Sequence, residues 1–172
     1  MKQLLNMMQG ETFDNLYTPE IAVRIVEKYI PLLSGRTIWE CCDPGNSTIT
    51  KRLSTQYKVV STDLVTGFDF LRNTPDFKFD AIITNPPFSL KDKFLKRCYQ
   101  FGKPFALLLP IVALAGQRRV KLYKEYGISV IVIDSRIDYT GKGANWQNTS
   151  WFCGNGFTED NSLYFEKMEY FK

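Results

Sequence analysis

The stretch Ala81-Ile82-Ile83-Thr84-Asn85-Pro86-Pro87-Phe88 constrains this chain more than any other. Four residues, three of them β-branched, form an apolar run of the length expected for a strand buried on both faces. Two prolines then end it. Proline lacks an amide hydrogen and fixes φ, so Pro86-Pro87 cannot continue a central strand, and the polar Asn85 is left at its C-terminal tip. In an open α/β sheet that edge is where ligands bind.

The groups in this turn suit one kind of chemistry. An amine conjugated to a heterocycle is a poor nucleophile because its lone pair is delocalised into the ring. Two acceptors that take both its hydrogens draw the nitrogen towards tetrahedral geometry and free the lone pair. The Asn85 side-chain carbonyl and the Pro86 backbone carbonyl are two such acceptors, aimed by a turn that Pro87 stiffens. Phe88 offers a ring on which a planar base can stack. Asn85-Pro86-Pro87-Phe88 resembles the catalytic motif of the S-adenosylmethionine-dependent amino-methyltransferases, chiefly the adenine-specific DNA enzymes. The competing account is a strand that ends in a proline turn with a buried Phe.

The remaining composition is compatible with that chemistry. With 172 residues, 44% of them apolar and 15% aromatic, the chain can bury a core. No run of 18 uncharged apolar residues occurs, and the first residues lack the apolar stretch of a secretory signal, so neither membrane nor export is expected. Cys41, Cys42, Cys98 and Cys153 have neither zinc-ribbon nor CxxC spacing, which predicts reduced thiols in a cytoplasmic protein. There is no histidine, which removes imidazole bases, His-dependent triads and His-ligated metals. No metal is expected. Between Lys91 and Lys124 nine basic residues face one acid, Asp92, which suits a polyanion or two solvated helix faces.

In chain order, residues 1–15 read as an arm. Thr18 is placed as N-cap and Pro19 at the first position of a helix that ends near Pro31. Tyr17-Thr18-Pro19 is similar to the family's segment that helps hold the cofactor's methionine end, or is a simple helix cap. Thr37–Cys42 is expected as the first strand, with a helix from about Ser47 to Gln56. The resemblance implies that Glu40 serves as the acid before a Gly-x-Gly loop, with Asp43 and Gly45 in that loop at the cofactor. Pro44-Gly45-Asn46 departs from the pattern, with one glycine displaced by one position. Tyr57–Asp63 is the second expected strand. Asp63 at its tip can accept hydrogen bonds from both ribose hydroxyls. By resemblance Asp69 and Phe70 meet the cofactor's adenine, and locally they form a polar turn with aromatic packing.

A helix capped by Ser89, a strand Pro104–Pro110, a basic helix Gln117–Tyr126 and a strand Ile128–Ile133 follow. The glycine-bearing loop over residues 140–149 precedes two closing strands, Ser150–Cys153 and Ser162–Glu166. The expected architecture is α/β, a Rossmann-like methyltransferase fold with a mostly parallel, doubly wound sheet and an antiparallel C-terminal edge. The chain is read as one methyltransferase domain over residues 1–172, without a separate target-recognition domain, a size that by analogy matches solitary virus-encoded modification enzymes. Target reading then falls to the basic surface (Lys91, Arg118, Arg119, Lys121), to the loop bearing Lys142 and Trp146, or to a second subunit or copy. The implied reaction is methyl transfer from S-adenosylmethionine to the exocyclic amine of adenine in DNA. RNA bases or a protein glutamine amide are alternative acceptors of the same chemistry. A non-catalytic nucleic-acid-binding module with a degenerate cofactor loop is the alternative of a different class.

Overall fold

Alternation of side chains along each strand sends one residue to each side of a sheet, and the chain uses this to build two separate cores. The computed structural model describes residues 18–30, 36–139 and 148–168. Its elements are α1 (Glu20–Glu27), β1 (Thr37–Glu40), α2 (Thr48–Leu53), β2 (Lys58–Ser61), β3 (Ala81–Thr84), α3 (Lys91–Phe101), β4 (Phe105–Pro110), α4 (Gln117–Tyr126), β5 (Ser129–Ile133), β6 (Thr149–Gly154) and β7 (Leu163–Glu166). Short 3-10 turns cover Phe88–Leu90 and Ile111–Leu114.

The strands form one seven-stranded sheet in the order β2-β1-β3-β4-β6-β5-β7. Strands β2, β1, β3 and β4 are mutually parallel, β6 runs antiparallel to both β4 and β5, and β7 is parallel to β5. The α/β architecture with a mostly parallel sheet is therefore as expected. The position of the antiparallel strand is a correction: β6 lies inside the sheet, and the C-terminal edge strand β7 is parallel to its neighbour. The side chains of Trp151, Phe152 and Cys153 are fully buried, so β6 needs cover on both faces, whereas Leu163 and Phe165 of β7 are exposed.

On one face, α1 and α2 bury Ala22, Ile25, Ile49 and Leu53 against Ile38, Ile83, Leu108 and Trp151. The Trp151 indole N–H is satisfied by the Ala22 carbonyl at 2.9 Å. On the other face, α3 and α4 bury Phe94, Leu95, Cys98 and Tyr123 against Trp39, Ile82, Leu107 and Phe152. Trp39 is the centre of an aromatic cluster, its ring centroid 4.8–5.7 Å from those of Phe68, Phe70, Phe77, Phe79 and Phe101. This cluster anchors the long β2–β3 connection to the sheet.

The helix starts differ from expectation in detail. Pro19, not Thr18, is the cap of α1, because its extended ψ of 146° lets its carbonyl begin the helix, and no side chain caps it. Ser89 sits within a 3-10 turn ahead of α3 and does not cap that helix. Ser47 does cap α2, accepting the Thr50 amide at 3.0 Å. All four cysteines are free. Among the described residues no helix is long and apolar enough to cross a membrane.

Candidate active site

Because β1, β2 and β3 are parallel neighbours, their C-terminal ends lie together on one edge of the sheet. Glu40, Asp63 and Asn85 come from those three ends. A cavity of about 420 Å³ opens there, and Thr18, Glu40, Asp43, Asp63, Asp69, Phe70, Asn85 and Pro87 all contribute to its wall. Of the residues singled out in the sequence, Pro86, Phe88 and Gly45 are beside the cavity without lining it. Tyr17, Lys142, Trp146 and the arm over residues 1–15 lie outside the described residues. Cys42, Leu64, Phe68, Leu71 and Leu90 also line the cavity. Sequence patterning did not single them out, because an apolar residue in a turn carries no signature of what it faces.

Glu40 is buried at the tip of β1. Its Oε1 accepts the Cys42 amide at 3.0 Å and the hydroxyl of Thr84, the residue before Asn85. The carboxyl therefore ties the ends of β1 and β3 together. Burial pushes its pKa up to about 8, against the pull of those two donors, and the nearby Asp43 and Asp63 carboxylates add to the rise. Thr84 takes part in this tie, which the apolar reading of β3 concealed.

Asp43 lines the cavity and also organises its own loop. Its Oδ1 accepts the backbone amides of Gly45, Asn46 and Ser47 at 2.9, 2.8 and 2.8 Å. Its Oδ2 accepts the hydroxyls of Thr50 and, at 3.1 Å, Ser61. The amides of the turn before α2 are thus already satisfied by the protein's own carboxylate. Burial alone would raise the Asp43 pKa, but the Thr50 hydroxyl and the three amides outweigh it and hold the group below its ordinary value. Gly45 has a φ of +111°, a conformation that favours glycine, and a Cβ placed there would meet nothing within 4 Å. This glycine lets the turn adopt its left-handed conformation.

Asp63 is half-buried, with Oδ1 accepting the Val65 amide at 2.7 Å. Asp69 accepts the Leu71 amide at 2.9 Å and meets the exposed Arg72 guanidinium at 3.3 Å. Each carboxylate keeps lone pairs for a ligand. Phe70 is buried and stacks on Phe94 with centroids 4.8 Å apart at 14°. At the third strand end, Asn85 Oδ1 is buried and takes no donor, while the residue is otherwise engaged. Pro86 is buried, and Pro87 and Phe88 are half-buried.

The basic residues divide into two groups. Arg118 and Lys121 are exposed on α4. Arg119 is inward: its guanidinium donates to the Ala113 and Ala115 carbonyls at 2.8 and 2.9 Å and pairs with Asp92. Lys91 donates to the Phe88 carbonyl at 3.1 Å. Among the described residues no group of three or more Cys, Asp or Glu is placed to hold a metal ion.

No family model matches the sequence, and no curated protein matches it. Solved structures do match in shape. A chain of a type I R-M system superposes with a TM-score of 0.59 at 12% identity, covering 98% of this chain and 48% of that one. A modification subunit of a presumed type I restriction enzyme from Vibrio vulnificus YJ016 gives 0.54 at 14%, covering 99% and 51%. A dimethyladenosine transferase from Plasmodium falciparum gives 0.56 at 13%, covering 84% and 65%. The chain thus spans about half the length of the first two. Its strand order and these neighbours give it the Rossmann-like methyltransferase fold.

Proposed function

We propose that this protein transfers a methyl group from S-adenosylmethionine to the exocyclic amine of adenine in DNA. The observation that carries the proposal is the meeting of Asp63, Asp69, Asn85 and Pro87 in one cavity at the C-terminal strand ends. A volume of about 420 Å³ is in the range of small-molecule sites. The described lining holds four acidic side chains, Glu40, Asp43, Asp63 and Asp69, and no lysine or arginine. The acceptor lone pairs left on Asp63 and Asp69 fit a ligand with hydroxyls and a positive charge, as S-adenosylmethionine has. The neighbours' names supply two further supports: restriction-modification for two of them, and adenosine for the third.

The cofactor, when bound, supplies an electrophilic methyl group on a sulfonium. Asp63 accepts hydrogen bonds from ribose hydroxyls, Asp69 holds the nucleoside end, and Thr18 meets the methionine end. Asn85 Oδ1 and the Pro86 carbonyl each accept one hydrogen of the adenine amine, which localises the nitrogen lone pair. Pro87 braces the turn, and Phe88 stacks on the base once it has left the duplex. After transfer the nitrogen carries a positive charge and loses a proton to water readily, so no histidine or other base titrating near neutrality is required. Glu40 holds Thr84, and through it the root of the catalytic turn.

One observation favours the reading as a non-catalytic nucleic-acid-binding module. With Asp43 filling the amides of the turn before α2, that turn has no donors to offer an anionic ligand group. Calorimetric titration with S-adenosylmethionine separates the two readings. The proposal predicts saturable binding that Asp63→Ala weakens by roughly tenfold or more, the loss of a charge-assisted pair of hydrogen bonds. Absence of binding while DNA still binds would favour the inactive module.

A further inference from the structure

The turn that follows β4 exposes apolar side chains beside the candidate active site, and it is held unusually firmly. Val112 is 65% exposed and Leu114 37% exposed, while Ala113 between them is fully buried. The Ala113 carbonyl accepts both the Tyr123 hydroxyl at 3.0 Å and Arg119 Nε at 2.8 Å, and Arg119 also reaches the Ala115 carbonyl. Gly116 makes room for this, since a Cβ there would lie 2.5 Å from Arg119 Nη2. With Ala113 pinned inward, its two neighbours are forced outward. Exposed apolar residues on a rigid, multiply bonded turn are preorganised for contact.

The surroundings indicate with what. Thr84 pairs with Leu107, and β4 runs three residues further, to Pro110. At about 3.3 Å per residue, the turn stands roughly 10 Å beyond the root of Asn85 on the same sheet edge. Arg119 pairs with Asp92 at the start of α3, directly after the Asn85–Phe88 segment, so the turn and the candidate catalytic corner are braced by one ion pair. Immediately C-terminal, α4 exposes Arg118, Lys121 and Lys124. An apolar tip with a cationic helix behind it is complementary to a base stack flanked by phosphates.

We propose that Val112 and Leu114 form a wedge that enters the base stack of duplex DNA, opening the helix next to the adenine delivered to Asn85, while Arg118, Lys121 and Lys124 bind the flanking phosphates. This rests on the reading of DNA as the substrate, and it assigns to Arg119 a bracing part in place of a phosphate contact. Its action is physical: stacking on one side of the target is replaced by contact with the apolar tip, lowering the free energy of the extruded base.

The test uses the full chain and a random-sequence duplex pool in which 2-aminopurine replaces adenine and an end label reports binding by anisotropy. The wild type is expected to raise 2-aminopurine fluorescence as it saturates the duplex. The doubly substituted protein, Val112→Ser with Leu114→Ser, is expected to bind the duplex within a few-fold but to lose most of that rise, roughly fivefold or more. Both positions are exposed, so folding is retained, and far-UV circular dichroism checks it. Lys121→Ala with Lys124→Ala is expected to weaken binding and its salt dependence while leaving the fluorescence rise at saturation intact. The wedge is overturned if the wild type fails to bind duplex, if it saturates duplex without a fluorescence change, or if the Val112→Ser, Leu114→Ser protein gives the wild-type rise. Methyl transfer is scored separately: duplex opening without transfer leaves the wedge standing and removes the reaction proposed for the site.

Discussion

Replacing Asp43 by alanine should unfold the region on which the cavity is built, and the size of the effect follows from its hydrogen bonds. Five donors converge on this carboxylate: the amides of Gly45, Asn46 and Ser47 and the hydroxyls of Thr50 and Ser61. Gly45 and Asn46 are exposed, so water can replace the lost acceptor there. Ser47, Thr50 and Ser61 are half-buried and are less easily resolvated. Counting those three donors at about 1–1.5 kcal/mol each gives a loss of about 3–4.5 kcal/mol. In a chain of this length that corresponds to a fall in Tm of roughly 6–18 °C. Asp43→Asn keeps an acceptor for the three amides and loses the charge, so it should cost about half as much. The pH dependence has a definite sign. A carboxyl held below its ordinary value of 3.8 contributes stability that is complete above that value and is lost as pH falls through the folded-state pKa. The gap between wild type and Asp43→Asn should therefore close in acid. Urea unfolding followed by tryptophan fluorescence measures both effects. An Asp43→Ala protein within about 0.5 kcal/mol of wild type at neutral pH would refute the assignment of Asp43 as the lock of this loop.

Two other perturbations test the packing and the buried charge. For Glu40 the sign is opposite to that of Asp43: its folded-state pKa of about 8 stands above its ordinary 4.5, so stability should fall as pH rises from about 4.5 to 8 and stay level above it. Glu40→Gln should abolish that decline, read as a flat chemical-denaturation midpoint across the same range. Trp39→Ala removes the centre of five aromatic contacts and the indole hydrogen bond to Thr62, and should cost about 3–5 kcal/mol with loss of near-UV circular dichroism.

The fold was legible because hydrophobic periodicity is a local property. The run Phe105–Pro110 and the helix Gln117–Tyr126 were readable from apolar runs, proline brackets and helical spacing. The place of β6 in the sheet was not, because insertion between β4 and β5 is decided by which faces need covering, and that depends on the whole sheet. Within the site, the meeting of the ends of β1, β2 and β3 at one edge of the sheet could be read from strand ends and prolines. The departure at Pro44-Gly45-Asn46 could be seen in the sequence, but not its cause. Asp43 draws its donors from positions two to eighteen residues away, and only the folded loop brings Thr50 and Ser61 to it. Arg119 illustrates the same limit: a charge in a basic run looks like its neighbours until helix phase turns it inward towards Asp92. Thr84 was hidden by its own strand, where a threonine reads as one more β-branched residue.

The most direct measurement is single-turnover transfer of labelled methyl from S-adenosylmethionine to unmethylated DNA, with mass-spectrometric identification of the product nucleoside, by wild type and Asn85→Ala. The account predicts N6-methyladenine from the wild type, and a rate reduced by roughly 100-fold or more in Asn85→Ala with cofactor affinity nearly unchanged, because only the reacting amine loses its acceptor. Full transfer by Asn85→Ala, or methylation at a ring carbon instead of the amine, would contradict it.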